Sequence, residues 1–156
     1  MINISIPNLS GHEKKYLVEC VNSNFVSAVG KYINIFENKF KKIVATKFAS
    51  SVNSGTSALH LSLLAAGVKK NDLVIVPSYT FAATINAILY SGAKPWFFDI
   101  SEDDFVINLD QVENALDKNV IFKNKKIIHK KTKQTVSAII PVFTYGLSPD
   151  LKKLNK

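Results

Sequence analysis

The sequence predicts an α/β fold of three layers (α/β/α), with helices covering both faces of a mostly parallel sheet. Two observations carry this. From Phe48 onward, short runs rich in β-branched and aromatic residues alternate with segments of helical length. The clearest run, Leu73-Val74-Ile75-Val76, is apolar at consecutive positions, the mark of a strand buried on both faces. Strands separated by helices imply right-handed crossovers within one sheet.

Ser10-Gly11-His12-Glu13 has the spacing of a capping box and predicts a helix from Gly11 to Asn22. After Gly30, the residues Ile33, Phe36, Phe40 and Ile43 recur at three- and four-residue steps, with lysines between them. Phe48 to Val52 reads as a short strand. Thr56 to Ala66 reads as a helix stopped by Gly67. The strand Leu73 to Val76 ends at Pro77. A helix follows from Thr80 to Tyr90, closed around Gly92, and then a strand at Trp96-Phe97-Phe98. Asn108 starts a helix from Leu109 to Leu116, and Val136 to Val142 is a further strand. Between them, Val120 to Thr135 carries six lysines and predicts a solvated hairpin. A new helix begins at Ser148 to Leu154, two turns before the last residue, which predicts a piece of a longer protein.

At 156 residues and 47% hydrophobic content, the chain can bury a core. No apolar run is long enough to span a bilayer, and Met1 to Ser10 lacks the pattern of a signal peptide. Cys20 stands alone, so no internal disulfide forms, and a cytoplasmic setting is expected. Its apolar neighbours Tyr16, Leu17 and Val21 place it in a helix core. The net charge of +8 is uneven. Up to Asp117 there are ten lysines against eleven acids, and after it ten lysines against Asp150 alone. There is no arginine, the usual bidentate reader of guanine edges and phosphates. Specific nucleic-acid recognition is therefore not expected.

Two loops are candidates for chemistry. Asn53-Ser54-Gly55-Thr56-Ser57 lies where a strand gives way to a helix. A helix N-terminus offers unpaired N–H groups and a positive dipole end, which suit a phosphate. Gly55 lets a ligand approach, and Ser54, Thr56 and Ser57 add hydroxyls. An ordinary serine cap explains the same residues. Pro77-Ser78-Tyr79-Thr80-Phe81 is a second strand-to-helix junction, at the sheet edge where α/β proteins bind ligands. Phe81 could lie against a flat heteroaromatic ring or could be core. His60 reads as a packing residue. His12 and His129 have no companions at metal-ligand spacing, so no metal is expected. Asp99 and Glu102-Asp103-Asp104 read as turn and helix-entry charges.

Taken in order, these segments resemble the sugar aminotransferases named after DegT, DnrJ, EryC1 and StrS. The resemblance runs through Phe25 to Gly30, Asn53 to Leu61, Val74 to Ile88, Gly92 to Pro95, Phe98-Asp99, and Ile139 to Val142 with Tyr145-Gly146 and Asp150. The lysine-rich insert most resembles the branch that serves nonulosonic acids and surface polysaccharides. The resemblance implies amino transfer from glutamate to a keto sugar nucleotide, with pyridoxal phosphate as electron sink and a lysine as its Schiff-base partner. It implies that Thr56 and Ser57 hold the cofactor phosphate with the backbone of Gly55, that Phe81 stacks on the pyridine ring, and that Ser27 lies near the sugar. It implies part of the large domain of a fold-type I transferase, acting as a homodimer. Residues 1–45 would be an N-terminal helical segment and residues 46–156 part of the cofactor-binding domain, the remainder and the small domain lying beyond.

Two departures stand out. Many relatives carry histidine where Phe143 stands. The Schiff-base lysine and the pyridine-nitrogen aspartate belong downstream of Lys156, and none of the 20 lysines sits in that motif. No catalytic residue is therefore assigned, and the chain alone is expected not to transaminate. A phosphate- or nucleotide-binding module without catalysis, and a polyanion-binding protein using the tail lysines, are the alternatives. Tight sugar-nucleotide binding marks the first, and salt-sensitive binding indifferent to Gly55 or Phe81 marks the second.

Overall fold

The structure, a computed structural model, describes residues 6–27 and 29–155. The chain forms two compact units, one ending at Ser51 and one running from Val52.

The first unit holds α1 (Glu13–Asn22) and α2 (Lys31–Ile43). The expected capping box does not form. His12 occupies the N-cap with no side-chain bond, and the Ser10 N–H goes to Asn8 Oδ1 at 3.1 Å. The first turn of α1 keeps only the favourable charge of Glu13. Cys20 is half-buried rather than core. The α2 helix follows the predicted periodicity, and Phe36 and Phe40 stack along it. Lys31 Nζ and the Tyr32 hydroxyl both donate to Glu19, which holds that carboxyl below its usual range. The strand expected at Phe48 to Val52 is absent. Glu37 Oε1 accepts both the N–H and the hydroxyl of Ser51, at 2.8 and 3.0 Å, and Phe48 is exposed. A side chain thus takes the backbone donor that a sheet would have used.

The second unit contains α3 (Gly55–Ala65), β1 (Leu73–Pro77), α4 (Ala82–Tyr90), β2 (Lys94–Phe98), α5 (Leu109–Asn119), β3 (Val120–Lys123), β4 (Lys126–His129) and β5 (Thr135–Ile139). A short 3-10 turn, Thr144–Gly146, and α6 (Leu151–Leu154) follow. The strands form one sheet in the order β2-β1-β5-β4-β3. β1 pairs in parallel with β2 and β5. The lysine-rich segment is the predicted hairpin, but it joins the sheet: β4 pairs antiparallel with β5 as well as with β3. The sheet is therefore mixed, with a parallel half carrying the helices and an antiparallel half made by the insert.

The three predicted layers are present. Val74 and Val76 of β1 face α3 and α4, packing with Leu63, Ala87 and Ile88. Leu73 and Ile75 face α5, packing with Val112 and Ile107. This period of two is why β1 must be apolar throughout. Pairing with β1 skips Ser137, where a bulge lets Val136 and Ile139 face α5 while Ala138 faces the other helices. Gly67, at φ +82°, closes α3 in the left-handed conformation that favours glycine.

Asn108 caps α5 as expected, its Oδ1 accepting the Gln111 N–H at 3.1 Å. Asn108→Ala is expected to cost about 1 kcal/mol in urea unfolding, and Asn108→Ser to recover most of it. Equal stability of all three proteins would show that this cap contributes nothing.

Candidate functional site

Short connections join α3 to β1 and β1 to α4, and α3 and α4 pack side by side. Both helices therefore run against β1, and both N-termini lie at its carboxyl edge.

At the first N-terminus, Ser54 is the N-cap. Its Oγ accepts the Ser57 N–H at 3.2 Å, and its carbonyl accepts the Ala58 N–H at 3.0 Å. The Ser57 hydroxyl donates to Asn53 Oδ1 at 2.8 Å and lies 3.0 Å from Ser54 Oγ. Ser57 is thus drawn into the cap. The N–H groups of Gly55 and Thr56 have no partner among the described residues. They are the donors left for a ligand, in the first turn of an eleven-residue helix where the dipole is felt. A Cβ built on Gly55 meets no atom within 4 Å. No protein neighbour requires glycine there; a side chain would enter open space in the same first turn as the two free amides.

At the second N-terminus, Phe81 is 81% exposed, which overturns the core alternative. The loop behind it is ordered by its own bonds. The Phe81 carbonyl accepts the Thr84 N–H at 3.0 Å, Thr80 Oγ1 donates to the buried Thr84 Oγ1 at 2.8 Å, and the Ser78 N–H donates to the Phe98 carbonyl at 2.7 Å. An aromatic ring is therefore held in solvent by a rigid loop.

The other sequence candidates are placed as follows. Ser27 is exposed in the first unit and lines a cavity of about 310 Å³ with Cys20, Phe25 and Lys31; Ala28, in the stretch singled out above, lies outside the described residues. His60 meets the Tyr90 ring edge-on at 6.0 Å, a packing role. His129 packs edge-on against Trp96 and accepts the Thr132 N–H. Asp99 and Asp104 accept the N–H groups of Ile100 and Val106, as turn residues do.

One group was not anticipated. The Tyr79 and Tyr145 hydroxyls are hydrogen-bonded at 2.8 Å, and Phe105 packs beside both rings. The shared bond pushes the Tyr79 hydroxyl above the usual phenol value. Both tyrosines stood in loops already singled out, but only the tertiary fold brings positions 66 residues apart together.

The DegT/DnrJ/EryC1/StrS aminotransferase family model matches residues 7–156. The chain belongs to that family. It is 38% identical over 154 residues to the GDP-perosamine synthase of Vibrio cholerae, covering 99% of this chain and 38% of that enzyme. A family aminotransferase from Brucella abortus superposes with a TM-score of 0.76 at 27% identity, over 91% of this chain and 35% of that one. The Streptococcus pneumoniae protein Spr1654 in its PLP form gives a TM-score of 0.75 at 27% identity, over 99% and 35%. The chain thus spans little more than a third of the relatives it matches. Pyridoxal phosphate is the cofactor of this family.

The residues present fit that cofactor at the two points where they can be tested. Two free amides at a helix N-terminus, with open space beside Gly55, suit a phosphate, and an exposed phenyl ring at the same sheet edge suits a flat heterocycle.

Proposed function

We propose that this chain is the part of a pyridoxal-phosphate-dependent sugar aminotransferase that holds the cofactor phosphate and covers one face of its ring. The observation that supports it is the open cradle over Gly55, with the Gly55 and Thr56 amides unpaired, on the same sheet edge as the exposed Phe81. Pyridoxal phosphate, when bound, supplies the electron sink for moving an amino group. The chain's own residues bind and orient. The two amides and the Thr56 hydroxyl donate to phosphate oxygens, and Ser57 keeps the turn in shape through its bonds to Ser54 and Asn53. Phe81 excludes water from one ring face.

Glutamate is the proposed amino donor and a keto sugar nucleotide the acceptor. The name of the Vibrio cholerae relative, GDP-perosamine synthase, points to a GDP-linked sugar. Ser27 is proposed to lie near the sugar in the working enzyme, a cytoplasmic homodimer. Among the described residues no helix is long and apolar enough to cross a membrane. The division into a helical segment, 1–45, and a cofactor-binding segment, 46–156, belongs to the same proposal.

A chimera tests it. Residues 7–156 replace the matching segment of the Vibrio cholerae enzyme. Glutamate-dependent amination is expected from the chimera and none from this chain alone, whose lysines do not occupy the family's cofactor-linking motif. Amination by the chain alone, or a folded chimera that fails to bind pyridoxal phosphate, would contradict the proposal.

A further inference from the structure

Three loops leave the carboxyl edge of the parallel strands, and one aromatic side chain from each meets the others. Tyr79 follows β1, Phe105 lies between β2 and α5, and Tyr145 follows β5. The two hydroxyls share the 2.8 Å bond, and the Phe105 ring centre lies 6.1 Å from that of Tyr79 and 6.3 Å from that of Tyr145. These rings are not core: Tyr79, Phe105 and Tyr145 are 46%, 44% and 79% exposed.

The backbone supports a role beyond packing. Phe105 and Tyr145 stand at φ +58° and +52°, in the left-handed region. That conformation is unfavourable for residues with a Cβ, and these exposed rings offset little of the cost by burial. Thr144, next to Tyr145, buries a hydroxyl that has no hydrogen-bond partner. Strain and an unmet polar group gathered on one exposed cluster are features that ligand sites retain.

The chemistry of the cluster narrows the ligand. Two phenols sharing one hydrogen bond commit one proton and leave one, together with acceptor lone pairs. Among the described residues, no ammonium group sits over any of the three rings. Flat apolar faces next to a hydroxyl donor and acceptor fit a sugar ring, whose C–H face packs on aromatic carbon while its hydroxyl or keto oxygen takes the proton.

We propose that Tyr79, Phe105 and Tyr145 form a wall that binds the sugar ring of the substrate, with the uncommitted proton of the Tyr79–Tyr145 pair donated to a sugar oxygen. This rests on the aminotransferase proposal for the presence of a sugar. Tyr79 stands two residues before Phe81 on one rigid loop, which places the wall beside the proposed ring platform.

The test is residue-resolved NMR of the 156-residue chain titrated with GDP-mannose and, separately, with GDP. Signals of Tyr79, Phe105 and Tyr145 are expected to move with GDP-mannose and not with GDP. Of Tyr79→Phe and Tyr145→Phe, the one that removes the hydroxyl carrying the uncommitted proton is expected to weaken the sugar-dependent part of the affinity about threefold to tenfold, the loss of one neutral hydrogen bond. Identical shifts with both ligands, no shift at these residues, or unchanged affinity in both variants would overturn the inference. A parallel titration with pyridoxal phosphate separates the two proposals. Shifts at Gly55 and Thr56 without sugar shifts overturn the sugar wall alone. Sugar shifts without cofactor shifts keep the wall and overturn the cofactor cradle.

Discussion

Gly55→Asp leaves the fold as stable as before, or slightly more stable, and weakens pyridoxal phosphate binding about tenfold or more. The two effects have opposite signs because they come from the same dipole. A carboxylate in the first turn of α3 is favourable for the helix, by about 0.3–1 kcal/mol at an exposed site. Space for it exists, since a Cβ at Gly55 meets no atom within 4 Å. The new charge, however, occupies the place of the phosphate and repels it, and charge-assisted hydrogen bonds of the kind lost are each worth about 1.5–3 kcal/mol. Thermal unfolding and a fluorescence titration check the two halves. Gly55→Ala separates size from charge and should fall between the two proteins in affinity. A destabilised Gly55→Asp protein would show that the glycine serves the fold, and undiminished binding would place the phosphate elsewhere.

Ile88→Ala should have the largest effect on stability. Ile88 is fully buried, in one cluster with Val74 and Val76 of β1, Ala87 beside it on α4, and Leu63 of α3. Truncation removes apolar contact and leaves a cavity that strand and helix backbones close only in part, at a cost of about 2–5 kcal/mol. Against a typical total of about 5–15 kcal/mol, that is a large share. Function follows, because α4 carries Phe81 at its N-terminus and α3 carries the cradle at its own, and Ile88 packs between them and β1. Urea unfolding should show a lower midpoint at unchanged slope. A loss below about 1 kcal/mol would mean that this face of the sheet closes around the gap, and that α4 is held by something other than this cluster.

The second unit was legible because its signals are local and mutually consistent. Leu73 to Val76 read as a strand buried on both faces and the strand runs one residue further, to Pro77; Asn108 read as a cap, and Gly67 stands where a left-handed residue ends α3. Two of the misreadings share one cause, a side chain competing for backbone donors. Asn8 takes the N–H of Ser10, and the helix then starts at Glu13, with His12 as N-cap and no capping box. Glu37 takes the N–H of Ser51, and no strand forms there. The lysine-rich insert showed its hairpin through charge and turn residues, but its pairing with β5 depends on a register no local pattern specifies. In the proposed site, Gly55 stood out at a strand-to-helix junction, whereas the pattern around Phe81 left core and ring platform both open, and its exposure comes from the fold. Ser57 was visible as a phosphate donor only; its commitment to Asn53 depends on rotamers. The Tyr79–Tyr145 bond joins two loops through the fold and left no spacing to read.

The most direct measurement is the amide NMR spectrum of the chain titrated with pyridoxal phosphate and, in parallel, with pyridoxal lacking the phosphate. The cradle predicts that the phosphate form alone moves the Gly55, Thr56 and Ser57 amides, with the Phe81 ring signals shifting at the same concentrations. Shifts confined to the lysine hairpin between Lys123 and Lys133, with Gly55 and Phe81 unmoved, would contradict it.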